Sequence, residues 1–285
     1  MRPARALLGF LIFVFLGAAL VAPWVYHGLN AIGFSGIPFR RVVDRCLLVL
    51  ALGALWPFVR RLGVRSASEL GLKIYPRLGR DLAIGVLIGT TLLFIAMGLS
   101  LAVGASVWHG ARSGLPKQIA AALLTAFIVA VLEEILFRGA IYTALARVAG
   151  ATFGLFVSGA LYAILHFFAR PQNPDAVTWN SGFIVLGRML NGFTDFHQVI
   201  PGFFSLTLLG IILTLAFRRT GALFMSMGIH AAVVFWVKLY GFAVDSNAAA
   251  NTWFWGTGKL IDGWFCFILL VVVTGVFAKQ KPRPA

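Results

Sequence analysis

The chain has 285 residues, 60% of them hydrophobic and only 12% charged, with a mean hydropathy of +0.92 and a formal net charge of +15. This composition excludes an ordinary soluble globular domain and implies an integral membrane protein. The basic residues lie between long apolar runs, where they meet anionic headgroups and set orientation, so the positive charge argues for a lipid bilayer and against a nucleic-acid partner.

In chain order, Arg2 and Arg5 precede an uncharged run in which Leu7 to His27 is long enough to span, at about 1.5 Å per residue. A cleaved signal peptide is the rival reading, from the basic start and Ala18, Ala19 and Ala22. The stretch is longer than a signal core, so a retained first helix is expected. Cys46 to Val59 is short for a span, but Arg60 and Arg61 can snorkel at its end, which makes it the second. From Ser68 to Arg80, apolar residues alternate irregularly with Lys73, Arg77 and Arg80 around Pro76, which reads as an interfacial segment. Leu82 to Val107 is the third span and Ile119 to Val148 the fourth. Ala149, Gly150 and Ala151 turn into a fifth, Thr152 to Phe168, ending at Arg170-Pro171.

Phe183 to Val199 is interrupted by Arg188, Asn191, Asp195 and His197 and fits a surface or re-entrant helix. Phe203 to Phe217, Ala222 to Trp236 and Ile261 to Phe277 complete an all-α, polytopic transmembrane helical bundle of about eight membrane helices, a single integral membrane domain over 1–285. With both termini cytoplasmic, 15 of the 24 basic residues fall on the cytoplasmic side, in agreement with the positive-inside rule. The expected location is a prokaryotic inner (plasma) membrane. Trp24, Trp179, Trp236, Trp253, Trp255 and Trp264 fall near proposed helix ends, as interfacial aromatics do. Cys46 and Cys266 are far apart and support neither a disulfide framework nor a thiolate metal site.

The chemistry concentrates in the fourth span, where Glu133, Glu134 and Arg138 interrupt an apolar helix. Charge at membrane depth is costly unless paired, hydrated or used. Glu134 and Arg138 are four residues apart and can pair on one helix face, leaving Glu133 about 100° away for another task. Glu133 lies 17 residues before Gly150 and His166 lies 16 after it, so an antiparallel hairpin brings them to nearly the same depth. His230, nine residues beyond Gly221, comes to roughly 14 Å from its own turn, a permissive match. A carboxylate with an imidazole beside it can activate water, and a second imidazole can stabilise a developing oxyanion. Alternatively Glu133, His166 and His230 could hold zinc, since one Glu and two His form a known ligand set; the spacing does not choose. His197 with Asp195 is a weaker metal candidate in an amphipathic segment, and His27 and His109 are ordinary helix-end residues.

At these residues the sequence resembles the CAAX-processing and bacteriocin-processing (CPBP, or Abi) family of intramembrane proteases, which includes the type II CAAX prenyl endopeptidases. The EExxxR motif stands as Glu133, Glu134 and Arg138. FxxxH stands as Tyr162 to His166, with Tyr for Phe, and the third motif centres on His230 after the Thr220 to Ile229 lead-in. Val234 replaces the Asn usual four residues after that histidine. The resemblance covers about Ala120 to Val237. It implies that Glu133 and His166 activate water, that His230 serves the oxyanion site and that Glu134 and Arg138 support them, with a membrane-anchored or lipidated protein as substrate. The missing Asn removes one oxyanion donor, a loss of about 3 to 4 kcal/mol in soluble hydrolases, for which Ser226 and Asn191 are candidate substitutes. Two other classes stay open: a catalytically weak or inactive scaffold, immunity or sorting accessory, and a solute transporter with a proton-relaying Glu.

Overall fold

The computed structural model describes residues 2–110, 113–169, 171–247, 249–257 and 259–279. Arg170, expected at the end of the fifth helix, and the tail residues Lys281 and Arg283, used in the charge count, lie outside the described residues. The elements in chain order are α1 (Arg2–Ala31), α2 (Phe39–Arg61), α3 (Leu78–Ala102), β1 (Ser106–Trp108), α4 (Leu115–Glu134), a π-helical segment (Ile135–Tyr142), α5 (Thr143–Ala149), α6 (Ala151–Leu165), α7 (Ser181–Met189), α8 (Phe196–Thr220), α9 (Phe224–Ala243), β2 (Val244–Ser246), α10 (Thr252–Trp255) and α11 (Trp264–Ala278). Short 3-10 turns at Ser68–Leu70 and Leu190–Phe193 complete the list.

The architecture is an all-α membrane bundle with one small ribbon, β1 paired antiparallel to β2. Among the described residues six helices are long and apolar enough to cross a membrane: α1, α2, α3, the continuous 115–149 helix, α8 and α9. Two apolar helices, α6 and α11, are shorter.

Several expected boundaries move. The second helix includes Arg40, Arg41, Asp44 and Arg45, which gives it 23 residues instead of a marginal 14-residue run. The third span stops at Ala102, because Ser106–Trp108 forms the ribbon rather than helix. The expected surface helix divides: α7 ends at Met189, and Phe196 onward already belongs to α8. Pro201 sits inside α8 as its sixth residue, beyond the turn whose donors are free, so the helix runs through it at the loss of one hydrogen bond and does not begin only at residue 203. The Ser68–Arg80 segment is not wholly interfacial. Leu70 and Gly71 are buried, and Gly71 O accepts from Leu223 N, while Ile74 is exposed. Trp236 is no helix-end anchor, since it lies within α9 and its Nε1 donates to Thr90 Oγ1 at 3.0 Å.

The described chain forms two compact units. The first comprises Met1–Arg65 and Leu165–Phe196. Here α1 and α2 run antiparallel, with Phe10 stacked on Phe58 and a Cβ on Gly17 only 3.1 Å from Leu50. Ala18, Ala22, Val42, Val43, Val185 and Met189 form its core. The chain after α6 stays in this unit: Ala169 N donates to Met189 O at 2.8 Å, and the Phe168 and Phe193 rings meet edge to face.

The second unit comprises Ser66–Ile164 and His197–Ala285. At its centre α9 packs on α3 and α4. Gly85 and Gly89 form a GxxxG pair on α3, facing Gly228 on α9. A Cβ at Gly85 would lie 2.2 Å from Met225 O, and one at Gly228 would lie 2.3 Å from Leu82 O. Without side chains between them the two backbones touch, the usual route to tight packing where lipid gives no hydrophobic drive. We expect Gly85→Val to lower the melting temperature in detergent by an amount matching at least the 1–3 kcal/mol typical of overpacking, at about that order of magnitude. Gly98→Ala on the same helix, where a Cβ meets nothing within 4 Å, should be neutral or raise it. Equal effects at the two positions would contradict the backbone contact.

The far ends of α3 and α9 are tied by the ribbon, by a 3.0 Å contact between His109 Nε2 and Asp245 Oδ2, and by a buried hydroxyl chain from Ser100 through Ser106 to Tyr240.

Candidate active site

Along α4 the buried residues are Ala122, Ala126, Ala130 and Glu134. Spaced by four, they form one face of the helix, and the alanines let it approach its neighbours closely. Glu134 continues that stripe and is therefore fully enclosed, whereas Glu133 falls to its flank with its side chain 29% exposed. Immediately after Glu134 the helix widens into the π segment Ile135–Tyr142, with Arg138 inside it. The wider turn is visible at Thr143, whose hydroxyl donates to Arg138 O, five residues back, at 3.0 Å rather than to the usual carbonyl four back. A close approach on this segment comes from Gly139, where a Cβ would lie 2.9 Å from Leu70 O.

The turn at Gly150 (φ 90°, ψ 155°) has a backbone conformation that a side chain would strain, and it reverses the chain into α6. Arg138 is 12 residues before this glycine and Tyr162 is 12 after it, and the guanidinium lies over the Tyr162 ring at 4.7 Å. Close packing of Gly159 against Gly210 brings α8 alongside, so that Arg138 Nη2 donates to Gly210 O at 3.3 Å.

These contacts build a closed polar cluster. Glu134 Oε1 accepts from Arg138 Nη1 at 2.8 Å and from His230 Nδ1 at 2.9 Å, and all three residues are at most 1% exposed. Charge-assisted bonds of this kind make ionic groups tolerable in low dielectric. With Nδ1 committed to Glu134, Nε2 is the imidazole's other polar edge. It lies 3.4 Å from the Tyr162 hydroxyl and 3.7 Å from Glu133 Oε2. The cluster thus has a locked interior, formed by Glu134, Arg138 and the Nδ1 side of His230. Its one open edge is where His230 Nε2 faces Glu133.

Of the residues singled out in the sequence, Glu133, Glu134, Arg138 and His230 come together. His230 reaches the level of the glutamates despite its shallower expected depth. His166 belongs to the first unit: α6 ends at Leu165, not Phe168, and His166 is an exposed residue in the turn that follows. Ser226 is buried, and its hydroxyl donates to Leu223 O at 2.9 Å. Asn191 is exposed in the first unit, where its carbonyl accepts from Thr194. His197 packs on Trp253. Among the described residues no group of three or more His, Cys, Asp or Glu is arranged to hold a metal ion, the expected zinc set of Glu133, His166 and His230 included. Tyr162 and Gly210 were not assigned roles from the sequence. The hydroxyl that departs from the FxxxH pattern was the available signal for the first.

Residues 115–236, which contain this entire cluster, match the family described as Type II CAAX prenyl endopeptidase Rce1-like. Over these residues the match is to a CAAX-processing (CPBP) protease-family domain. The CAAX-protease-family segment covers under half of the chain, and it includes α4, the π segment, α6 and the His230 half of α9. Neither a curated protein nor a solved structure matches the chain.

Proposed function

We propose that the protein is an intramembrane endopeptidase of the glutamate type, which hydrolyses a peptide bond in a membrane-anchored or lipidated protein. The observation that supports this most is the division of labour between adjacent carboxylates. Glu134 is enclosed and neutralised by Arg138 and His230, while Glu133 beside it stays partly exposed at the open edge of the same cluster.

In this reading Glu133 takes a proton from the attacking water and passes it to the leaving amine. His230, held by Nδ1 on Glu134, turns Nε2 toward the carbonyl oxygen that becomes negative. Arg138 and Glu134 are positioning residues: they fix His230 and balance charge. All eight apolar helices, α6 and α11 included, cross or enter the bilayer, with both termini cytoplasmic in a prokaryotic plasma membrane. The Arg-rich end of α2 then faces the cytoplasm.

The Tyr162 hydroxyl lies 3.4 Å from His230 Nε2. We expect Tyr162→Phe to retain the ring over Arg138 and the fold, and to lower kcat/KM about fivefold, the equivalent of one neutral hydrogen bond of about 1 kcal/mol. Steady-state cleavage at matched protein concentration measures it, and an unchanged rate would remove the hydroxyl from the site.

A second reading is an inactive accessory of the same fold. Its support is Val234, one turn beyond His230, which offers no hydrogen-bond donor. The two are separated by incubating the purified protein in liposomes with prenylated, acylated and hydrophobic-tailed precursor peptides in 18O-labelled water. Hydrolysis gives a shortened product carrying the label in its new carboxylate. Binding of precursors with no cleavage across the panel would establish the accessory reading in its place.

A further inference from the structure

The first unit contains a cavity that the chemistry above does not use. Between α1 and α2 lies a groove of about 640 Å³ lined by Gly9, Phe10, Phe13, Gly53 and Phe58, among other apolar residues, with Arg61 at one end. This volume falls within the roughly 300–1,000 Å³ of ligand-sized sites. Its floor is the Phe10–Phe58 stack, with ring centroids 4.7 Å apart. A Cβ on Gly9 or on Gly53 would meet no atom within 4 Å, so at these two positions glycine is not required by helix packing. What it does is leave the trough open, although glycine in a helix interior weakens the helix.

The dimensions and charge identify an occupant. On α2 the lining runs from Val49 to Arg61, about 18 Å for these 12 steps at the α-helical rise. One leaflet of a bilayer's hydrocarbon is about 15 Å deep. The groove is therefore apolar over one leaflet's depth and ends at an exposed arginine, next to exposed Arg60. Lys or Arg at this level attracts anionic headgroups.

We infer that this groove is a binding site for one acyl chain of an anionic glycerophospholipid, with Arg61 holding the headgroup phosphate. The bound lipid completes the α1–α2 surface and is retained when bulk lipid is removed. The inference is independent of whether the second unit is a protease.

The test is native mass spectrometry of the full chain released from nanodiscs of equal phosphatidylglycerol and phosphatidylcholine. The native chain should retain one phospholipid, with phosphatidylglycerol favoured about fivefold, the fold-change given by about 1 kcal/mol per basic residue. Gly53→Leu, whose side chain enters the open trough, should lose the adduct while retaining the native melting temperature. Arg61→Gln should keep one lipid and lose the preference. Should Gly53→Leu misfold, delipidated native chain titrated with each lipid gives the same answer, with phosphatidylglycerol binding to one saturating site. A native chain released bare, an adduct undiminished in folded Gly53→Leu, or a preference unaltered by Arg61→Gln would each overturn the assignment.

Discussion

We expect Glu133→Gln to abolish cleavage and leave the protein folded. Gln has the shape of Glu but cannot take a proton from water, and loss of a general base lowers rates by about 10²–10⁴-fold. The side chain is partly exposed, so the neutral amide is accommodated without burying an unmatched charge. The contrast with its neighbour is diagnostic. Glu134→Gln removes the charge that neutralises Arg138 inside the protein, so both activity and stability should fall. The measurement is the initial rate of precursor shortening at equal abundance, alongside melting in detergent. A Glu133→Gln protein that keeps more than about a tenth of native activity would falsify the general-base role.

The second large effect is structural. Arg138→Met leaves Glu134 enclosed without its cation and removes the contacts to Gly210 O and the Tyr162 ring. Deleting one partner of a buried ion pair costs about 3–5 kcal/mol, a large part of the roughly 5–15 kcal/mol that holds an ordinary domain folded and enough to lower its abundance severely. Pairing the change with Glu134→Leu removes the stranded carboxylate, and most of the lost stability should return. Activity should not return, because His230 Nδ1 then has no acceptor to orient it. Denaturation midpoints of the single and double variants, read against cleavage, separate these two consequences. If the double variant is no more stable than Arg138→Met, the pair is not what the Arg138 substitution disrupts.

Much of this centre was legible in the sequence, because charge in an apolar helix has few uses. Glu133, Glu134 and Arg138 stood out on cost alone, and the count from Gly150, made for Glu133 and His166, predicted the hairpin that in the structure sets Arg138 over the Tyr162 ring. The alanine stripe at 122, 126 and 130 also carries the information that Glu134, not Glu133, is the enclosed carboxylate. Other features have no such imprint. A π segment differs from an α-helix by a shift in hydrogen-bond partner, and the apolar pattern over Ile135–Tyr142 fits either. The end of α6 at Leu165 depends on bonds made by Ala169 and on rings at Phe168 and Phe193, contacts with residues far along the chain. The ribbon at Ser106–Trp108 was absorbed into an apolar run because strand pairing with Val244–Ser246 leaves no local periodicity in three residues.

The placement of Arg138's counter-ion in its own helix also bears on how the protein enters the membrane during synthesis. A lone Arg or Asp at the centre of a helix costs about 2.5–3.5 kcal/mol at insertion. Glu134 is four residues from Arg138, so the two can neutralise each other as soon as the 115–149 helix forms, whereas His230 is made 96 residues after Glu134. The helix therefore partitions into lipid as a paired segment. The arrival of α9 then supplies the imidazole, and only at that late step of biogenesis does the polar cluster become complete.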